Sequence, residues 1–275
     1  MKRAALLAVP LALLAPALAV ANGKSQVTVS ATPQPVEVVP LPCFPSGRLA
    51  LGMTNTGRKP MIADMRISAG APLILSRHQF SSYLPVGQLV TAPLDVRVPR
   101  GTPEGTFTVD LAAEGQRLSA PVVVKPAPPK GPGDNLLLGE QAVASSTHGN
   151  MKLCGGVDGN SDSEQWGASG WHDATKGAFP DSYGVDFTAP TTVGRVELQT
   201  LDSIRYPAAV MGVRDFDVQV RVGGAWTTVA ELRGNVEGHV KVTFTPIVAE
   251  SVRVVVQDSN DHGYSRIVEL QAFDS

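Results

Sequence analysis

Four prolines crowd into the stretch 126–132, at Pro126, Pro128, Pro129 and Pro132, with Gly131 and Gly133 beside the last of them. Proline has no amide proton to give to a sheet ladder and fixes φ, so this stretch cannot continue a strand and stiffens toward polyproline II. It predicts a semi-rigid linker over 126–134 that divides the chain into two folding units. The 275 residues leave each side long enough to bury its own core, since domains typically run to roughly 100–150 residues.

Both sides read as β structure. Over 22–125, β-prone runs fall at 27–29, 36–39, 49–53, 61–67, 73–75, 94–98, 106–111 and 119–124, separated by turn residues such as Thr54-Asn55-Thr56-Gly57 and Pro103-Glu104-Gly105. Seven or eight short strands in about a hundred residues is the count of an immunoglobulin-like sandwich. The segments 49–57 and 94–107 resemble bacterial extracellular immunoglobulin-like modules, which implies a spacer. The aromatic residues of this half are Phe44, Phe80, Tyr83 and Phe107, too few for an exposed stacking platform. Over 135–275, Phe216, Val218 and Val220 alternate with Asp217, Gln219 and Arg221, and Gly223-Gly224 then turns the chain. Val196 with Leu198, and Val252, Val254 and Val256, repeat the alternation. The fold class is all-β, two sandwiches in series.

The N-terminus points to export. Lys2 and Arg3 precede an apolar run over 4–18, and Ala19-Val20-Ala21 offers small residues for cleavage before Asn22, so 1–21 reads as a bacterial signal peptide. The run contains Pro10 and Pro16 and falls short of the roughly 20 apolar residues that span a bilayer. No other long apolar stretch follows, so no transmembrane segment is expected and the mature chain should be secreted, extracellular or periplasmic. Cys43 and Cys154, one in each half, then face an oxidising compartment. They either pair as a disulfide that clips the halves together or remain two buried thiols. A net charge of −2 without any basic block disfavours nucleic acid as a partner.

From Asn135 onward a domain-length series of motifs appears: Asn135-Leu136-Leu137-Leu138-Gly139, Gly156-Val157-Asp158-Gly159-Asn160, Trp166 through Thr175, Phe179-Pro180-Asp181, Tyr183-Gly184-Val185-Asp186-Phe187, and Tyr264-Ser265-Arg266-Ile267-Val268-Glu269. In order and spacing this half resembles the discoidin, or coagulation factor V/VIII C-type, domains, galactose-binding-like jelly-roll sandwiches that include bacterial carbohydrate-binding modules. The resemblance implies a structural Ca²⁺ held by Asp158, Ser163 and Glu269, with Ser163 standing where the family carries Thr. Asp158, Asn160, Asp162 and Ser163 are hard oxygen donors, although the same loop also reads as a simple Asx turn. It further implies a ligand site on the loops at one end of the sandwich, where a sugar needs an aromatic face and fixed polar partners. Trp171, His172 and Asp173, then Asp202, Arg205 and Tyr206, then Asn260, Asp261, His262 and Tyr264 supply such groups. Arg205, Tyr206 and His262 are the first choices, although Arg205 also reads as a partner of Asp202. Trp166 and Trp226 are assigned to the core, and Arg266 to ordering the loop beneath the site.

No Gly-x-Ser-x-Gly elbow, His-Glu-x-x-His or close Cys/His spacing occurs, and His78, His148, His172, His239 and His262 are scattered. The sequence therefore predicts a non-enzymatic binding protein whose partner is a surface polysaccharide or cell-envelope glycan. A protein-binding adhesion component and an unrecognised hydrolase are the alternatives.

Overall fold

A computed structural model describes residues 25–43 and 47–275. The proposed signal peptide and Phe44 lie outside the described residues.

The N-terminal unit is built from β1 (Val27–Thr32), β2 (Val36–Val38), β3 (Gly47–Asn55), β4 (Met61–Ala69), β5 (Ile74–Leu75), β6 (Gln79–Leu84), β7 (Leu89–Arg97), β8 (Gly105–Ala113) and β9 (Gln116–Val124). One sheet runs β1-β3-β7-β5 and the other β2-β9-β8-β4-β6. Period-two patterning dictates the packing: Leu49, Leu51 and Met53 of β3, Met65 of β4, Leu94 and Val96 of β7, and Val109 and Leu111 of β8 fill the space between the sheets. Asn55, in the Asn-Thr-Gly segment, is fully buried and fully used. Its Nδ2 donates to the carbonyls of Lys59 and Leu84 at 2.8 and 3.1 Å, and its Oδ1 accepts from Gly57 N at 2.8 Å. Strand β6 is an addition to the runs the sequence predicts.

The C-terminal unit contains β10 (Gln141–Ala144), β11 (Trp171–His172), β12 (Asp181–Thr200), the one-turn helix α1 (Ala208–Met211), β13 (Val213–Val222), β14 (Ala225–Leu232), β15 (His239–Ser259) and β16 (Arg266–Phe273). Its strands hydrogen-bond in the order β11-β16-β12-β15-β13-β14, with β10 added to β12. The long strands β12 and β15 break register between Asp186 and Thr191 and again between Val193 and Arg195. Such irregularities bend strands and let one ladder serve both layers of a jelly roll. Phe216, Val218, Val220, Val252, Val254 and Val256 are all inside, as their alternation predicts. Gly223 and Gly224, with φ of +57° and +80°, form the two-residue turn that pairs Val222 with Ala225.

The halves are joined at several points besides the proline stretch. Cys43 and Cys154 are disulfide-bonded, with Cα atoms 5.1 Å apart. Cys43 N also donates to Gly139 O at 3.1 Å, and the Cys43 side chain packs into the C-terminal core. Arg100, after β7, reaches across to the carbonyls of Asp186 and Phe187 at 2.6 and 3.3 Å and lies 3.5 Å from Glu140. Glu140 in turn accepts from Thr188 Oγ1 at 3.0 Å and pairs with Lys130 at 3.3 Å. Among the described residues no helix is long and apolar enough to cross a membrane.

Candidate functional site

Four loop segments at one end of the C-terminal sandwich close around a cleft of about 290 Å³. His148 comes from the loop after β10, and Trp166 from the loop that follows a 3-10 turn at Ser163–Gln165. His172 comes from β11. Leu201, Tyr206 and Met211 come from the connection between β12 and β13, and Tyr264 and Arg266 from the approach to β16. The Trp166 loop is drawn close by a backbone contact, Gly170 N to Gly155 O at 2.7 Å. A Cβ on Gly155 would sit 2.1 Å from Gly170 O, so only glycine permits this approach.

The rings form one assembly. Trp166 stacks on His172 with centroids 5.4 Å apart and planes 12° apart, Tyr264 meets His172 edge-on at 4.9 Å, and His148 lies 4.6 Å from His172. His172 is thus the hub. Its Nδ1 lies 2.8 Å from the carbonyl of Asp173, an acceptor only, so that nitrogen carries the proton and Nε2 is left as a lone-pair acceptor. Burial, together with the nearby charges of His148 and Arg266, holds its pKa below the ordinary histidine value, against the opposing pull of Asp173.

Beneath the rings lies a polar network with every carboxylate oxygen engaged. Asp173 is fully buried, accepting from Ser265 N at 2.7 Å, Thr175 N at 2.7 Å and Thr175 Oγ1 at 3.1 Å. Asp181 accepts from Ser145 Oγ at 3.0 Å and Ser265 Oγ at 2.8 Å, and burial pushes its carboxyl above the usual range. Arg266 forms a two-pronged pair with Asp261, both contacts at 2.9 Å, and donates to Met211 O at 2.9 Å. Its guanidinium is committed within the protein, as the ordering role read from the sequence requires, yet it also lines the cleft.

Several sequence expectations change. Trp171 is not a ligand contact: it is fully buried, stacks on Tyr183 at 4.6 Å, and its Nε1 donates to Thr147 Oγ1 at 2.9 Å. Strand β11 pairs with β16, which turns Trp171 into the core. Trp166 takes the exposed role instead, half-buried at the cleft, with an indole nitrogen that has no partner. Trp226 also lies outside the core, on strand β14, where Arg253 covers its ring at 3.9 Å. Tyr206 and Tyr264 line the cleft together with His172. Arg205 is exposed on the rim, its guanidinium 5.1 Å from the Tyr206 ring, while Asp202 accepts from Ala208 N. His262 points outward, 67% exposed, and binds Asp258 at 2.9 Å. His148, Leu201 and Met211 are cleft residues that no sequence pattern marked.

Asp158 and Glu269 do approach each other. Glu269 on β16 is fully buried, its Oε1 accepts from Gly159 N at 3.2 Å, and its Oε2 has no partner. Burial and then the charge of Asp158 push its carboxyl up to about 8. Two carboxylates with an orphaned oxygen suit a hard cation, which would replace the proton. Ser163 is committed elsewhere, its Oγ accepting from Asp202 N at 3.2 Å. Among the described residues no three His, Cys, Asp or Glu side chains gather around one point, so backbone carbonyls would have to complete any shell.

Comparison with curated proteins finds no match. Among solved structures, the chain is similar to chitosan-binding module 1 of a chitosanase/glucanase from Paenibacillus sp. IK-5, at 25% identity over 51% of this chain and 98% of that one, with a TM-score of 0.42. It is also similar to the family 32 carbohydrate-binding module of Streptococcus pneumoniae EndoD (23% identity, 52% and 100% covered, TM-score 0.42). The family 32 module of C. perfringens NanJ in complex with galactose is a further likeness (23% identity, 48% and 92% covered, TM-score 0.41). The model of the F5/8 type C domain matches residues 141–270, the segment that carries the cleft, the buried Glu269 and the bent β12 and β15. Residues 141–270 are an F5/8 type C, or discoidin, domain.

Proposed function

We propose that the protein is an exported glycan-binding protein without catalytic activity, whose discoidin domain takes a sugar ring in the cleft while the N-terminal sandwich serves as a spacer. The carrying observation is the ring assembly of Trp166, His172 and Tyr264 around an apolar hollow, with Tyr206 beside it. A pyranose offers C–H faces to such rings and hydroxyls to the polar atoms at their edges. Among the described residues no Asp, Glu, Ser or Cys lines the cleft, whereas hydrolysis of a glycosidic bond ordinarily uses a pair of carboxylates.

Export is supported by the charged and apolar N-terminal pattern and by the Cys43–Cys154 bond, which belongs to oxidising compartments. Asp158 and Glu269, with carbonyls of the 158–163 loop, are the proposed holders of a structural Ca²⁺ that would neutralise the buried pair.

The test is a glycan array probed with the full chain and with Tyr264→Ala. Capture of glycans that free sugar competes away, and that the substitution abolishes, is the expected result. A chain that retains no glycan, yet pulls down a protein regardless of added sugar, would overturn the reading.

A further inference from the structure

A second, smaller cavity of about 180 Å³ is lined by residues that closely follow cleft residues on two of its loops. It is lined by Asn150 and Lys152 from the His148 loop and by residues 167–170 from the Trp166 loop. Trp166 and Gly167 are chain neighbours, one facing each hollow. The linings also touch directly, because His148 Nδ1 meets Asn150 Oδ1. The two hollows therefore neighbour each other along these loops.

The chemistry of the two hollows differs. The cleft is walled by rings, and its one guanidinium is committed to Asp261 and Met211 O. Among the described residues no ring and no carboxylate lines the second cavity. Ser169 is more than nine-tenths buried there and its hydroxyl finds no partner in the protein. A buried hydroxyl without a partner has lost its water and gained nothing in exchange, so a ligand that reaches it offsets that penalty. Lys152 donates to Ala168 O at 3.3 Å, which leaves further ammonium protons free. Among the described residues no carboxylate lies within ion-pair reach of it; Asp158 feels its charge only at longer range.

We propose that this cavity is a second subsite, which takes an anionic substituent, a carboxylate or a sulfate ester, on the sugar adjoining the one held in the cleft. The inference rests on the glycan-binding reading of the cleft and adds to it the class of ligand: an acidic oligosaccharide with a neutral ring at the aromatic end. Lys152 supplies the charge, Ser169 the fixed hydroxyl, and Asn150 the amide N–H groups on the partition between the hollows.

The experiment uses the full chain on matched oligosaccharide sets, each present as the uronate, as its carboxyl-reduced alcohol and as a sulfate ester. Affinity for the uronate or the sulfate should exceed that for the reduced form by about tenfold or more, the worth of one charge-assisted hydrogen bond. Whichever anion shows the excess identifies its source. Lys152→Ala and Ser169→Ala should erase the excess and leave binding of the reduced form unchanged. Equal affinity across each set, or indifference to both substitutions, overturns the subsite while the cleft reading stands. Failure of every saccharide to bind overturns both.

Discussion

Trp166 lies flat against His172, ring planes 12° apart, while Trp171, five residues along the chain, is sealed in the core against Tyr183. Two tryptophans of one loop and strand thus serve opposite ends of the same problem. Trp166→Ala should lower glycan affinity by at least about tenfold, the scale of a good aromatic contact in a partly desolvated site, and leave the melting temperature nearly unchanged. Trp171→Ala should cost about 3–5 kcal/mol of stability through the cavity it leaves. Calorimetric titration and melting curves on both variants check the division, and loss of binding only through unfolding of the Trp166 variant would refute it.

The buried Glu269 makes the cation-free protein sensitive to pH. Its folded value of about 8 stands above the ordinary 4.5, so in that window the native state holds a proton the unfolded chain has released. Stability in EDTA should therefore be highest at about pH 5 and fall as pH rises toward about 8. Added Ca²⁺ should restore most at the alkaline end, where the carboxylate pair needs a counter-charge. Melts that coincide with and without the cation at both pH values would remove Ca²⁺ from the proposal.

Arg266 holds the cleft floor through planar geometry as well as charge. Arg266→Lys keeps the charge but cannot reach both oxygens of Asp261 together with Met211 O, and should cost about 1.5–3 kcal/mol. Urea unfolding measures this. A change within a few tenths of a kcal/mol would show that the fork contributes little.

Cys43 and Cys154 enclose a long loop, with a sequence separation of 111. Substituting both by Ser should destabilise the protein by about 2–5 kcal/mol. Non-reducing peptide mapping should recover the linked pair, and two alkylatable thiols in the native protein would contradict it.

Where the sequence was legible, period-two patterning made it so. Val218 and Val254 were placed inside by alternation alone, because a strand with one wet face writes its register into its residues. Strand β6 escaped because Gln-Phe-Ser-Ser-Tyr-Leu sits at a sheet edge, where polar residues are tolerated on both faces. The cleft was legible only in part. Tyr206, Tyr264 and His172 stood out as aromatic or basic loop residues, but which of Trp166 and Trp171 faces solvent depends on the pairing of β11 with β16, a long-range contact that local spacing does not encode. His148, Leu201 and Met211 lie on irregular segments whose direction is set by partners far away in sequence, so nothing near them announced their role.

The disulfide also determines how the molecule carries tension. A pull applied between β1 and β16, as when a glycan held in the cleft is dragged against whatever holds the other half, passes from Cys43 to Cys154 through the sulfur–sulfur bond. Strands β3 to β9, the proline stretch and β10 lie within the closed loop and bear none of that load along the chain. Outside the loop the chain is exposed to that load, through β1 and β2 on one side of the covalent shortcut and β11 to β16 on the other, so peeling of these strands is the mechanical event that an intact disulfide still permits.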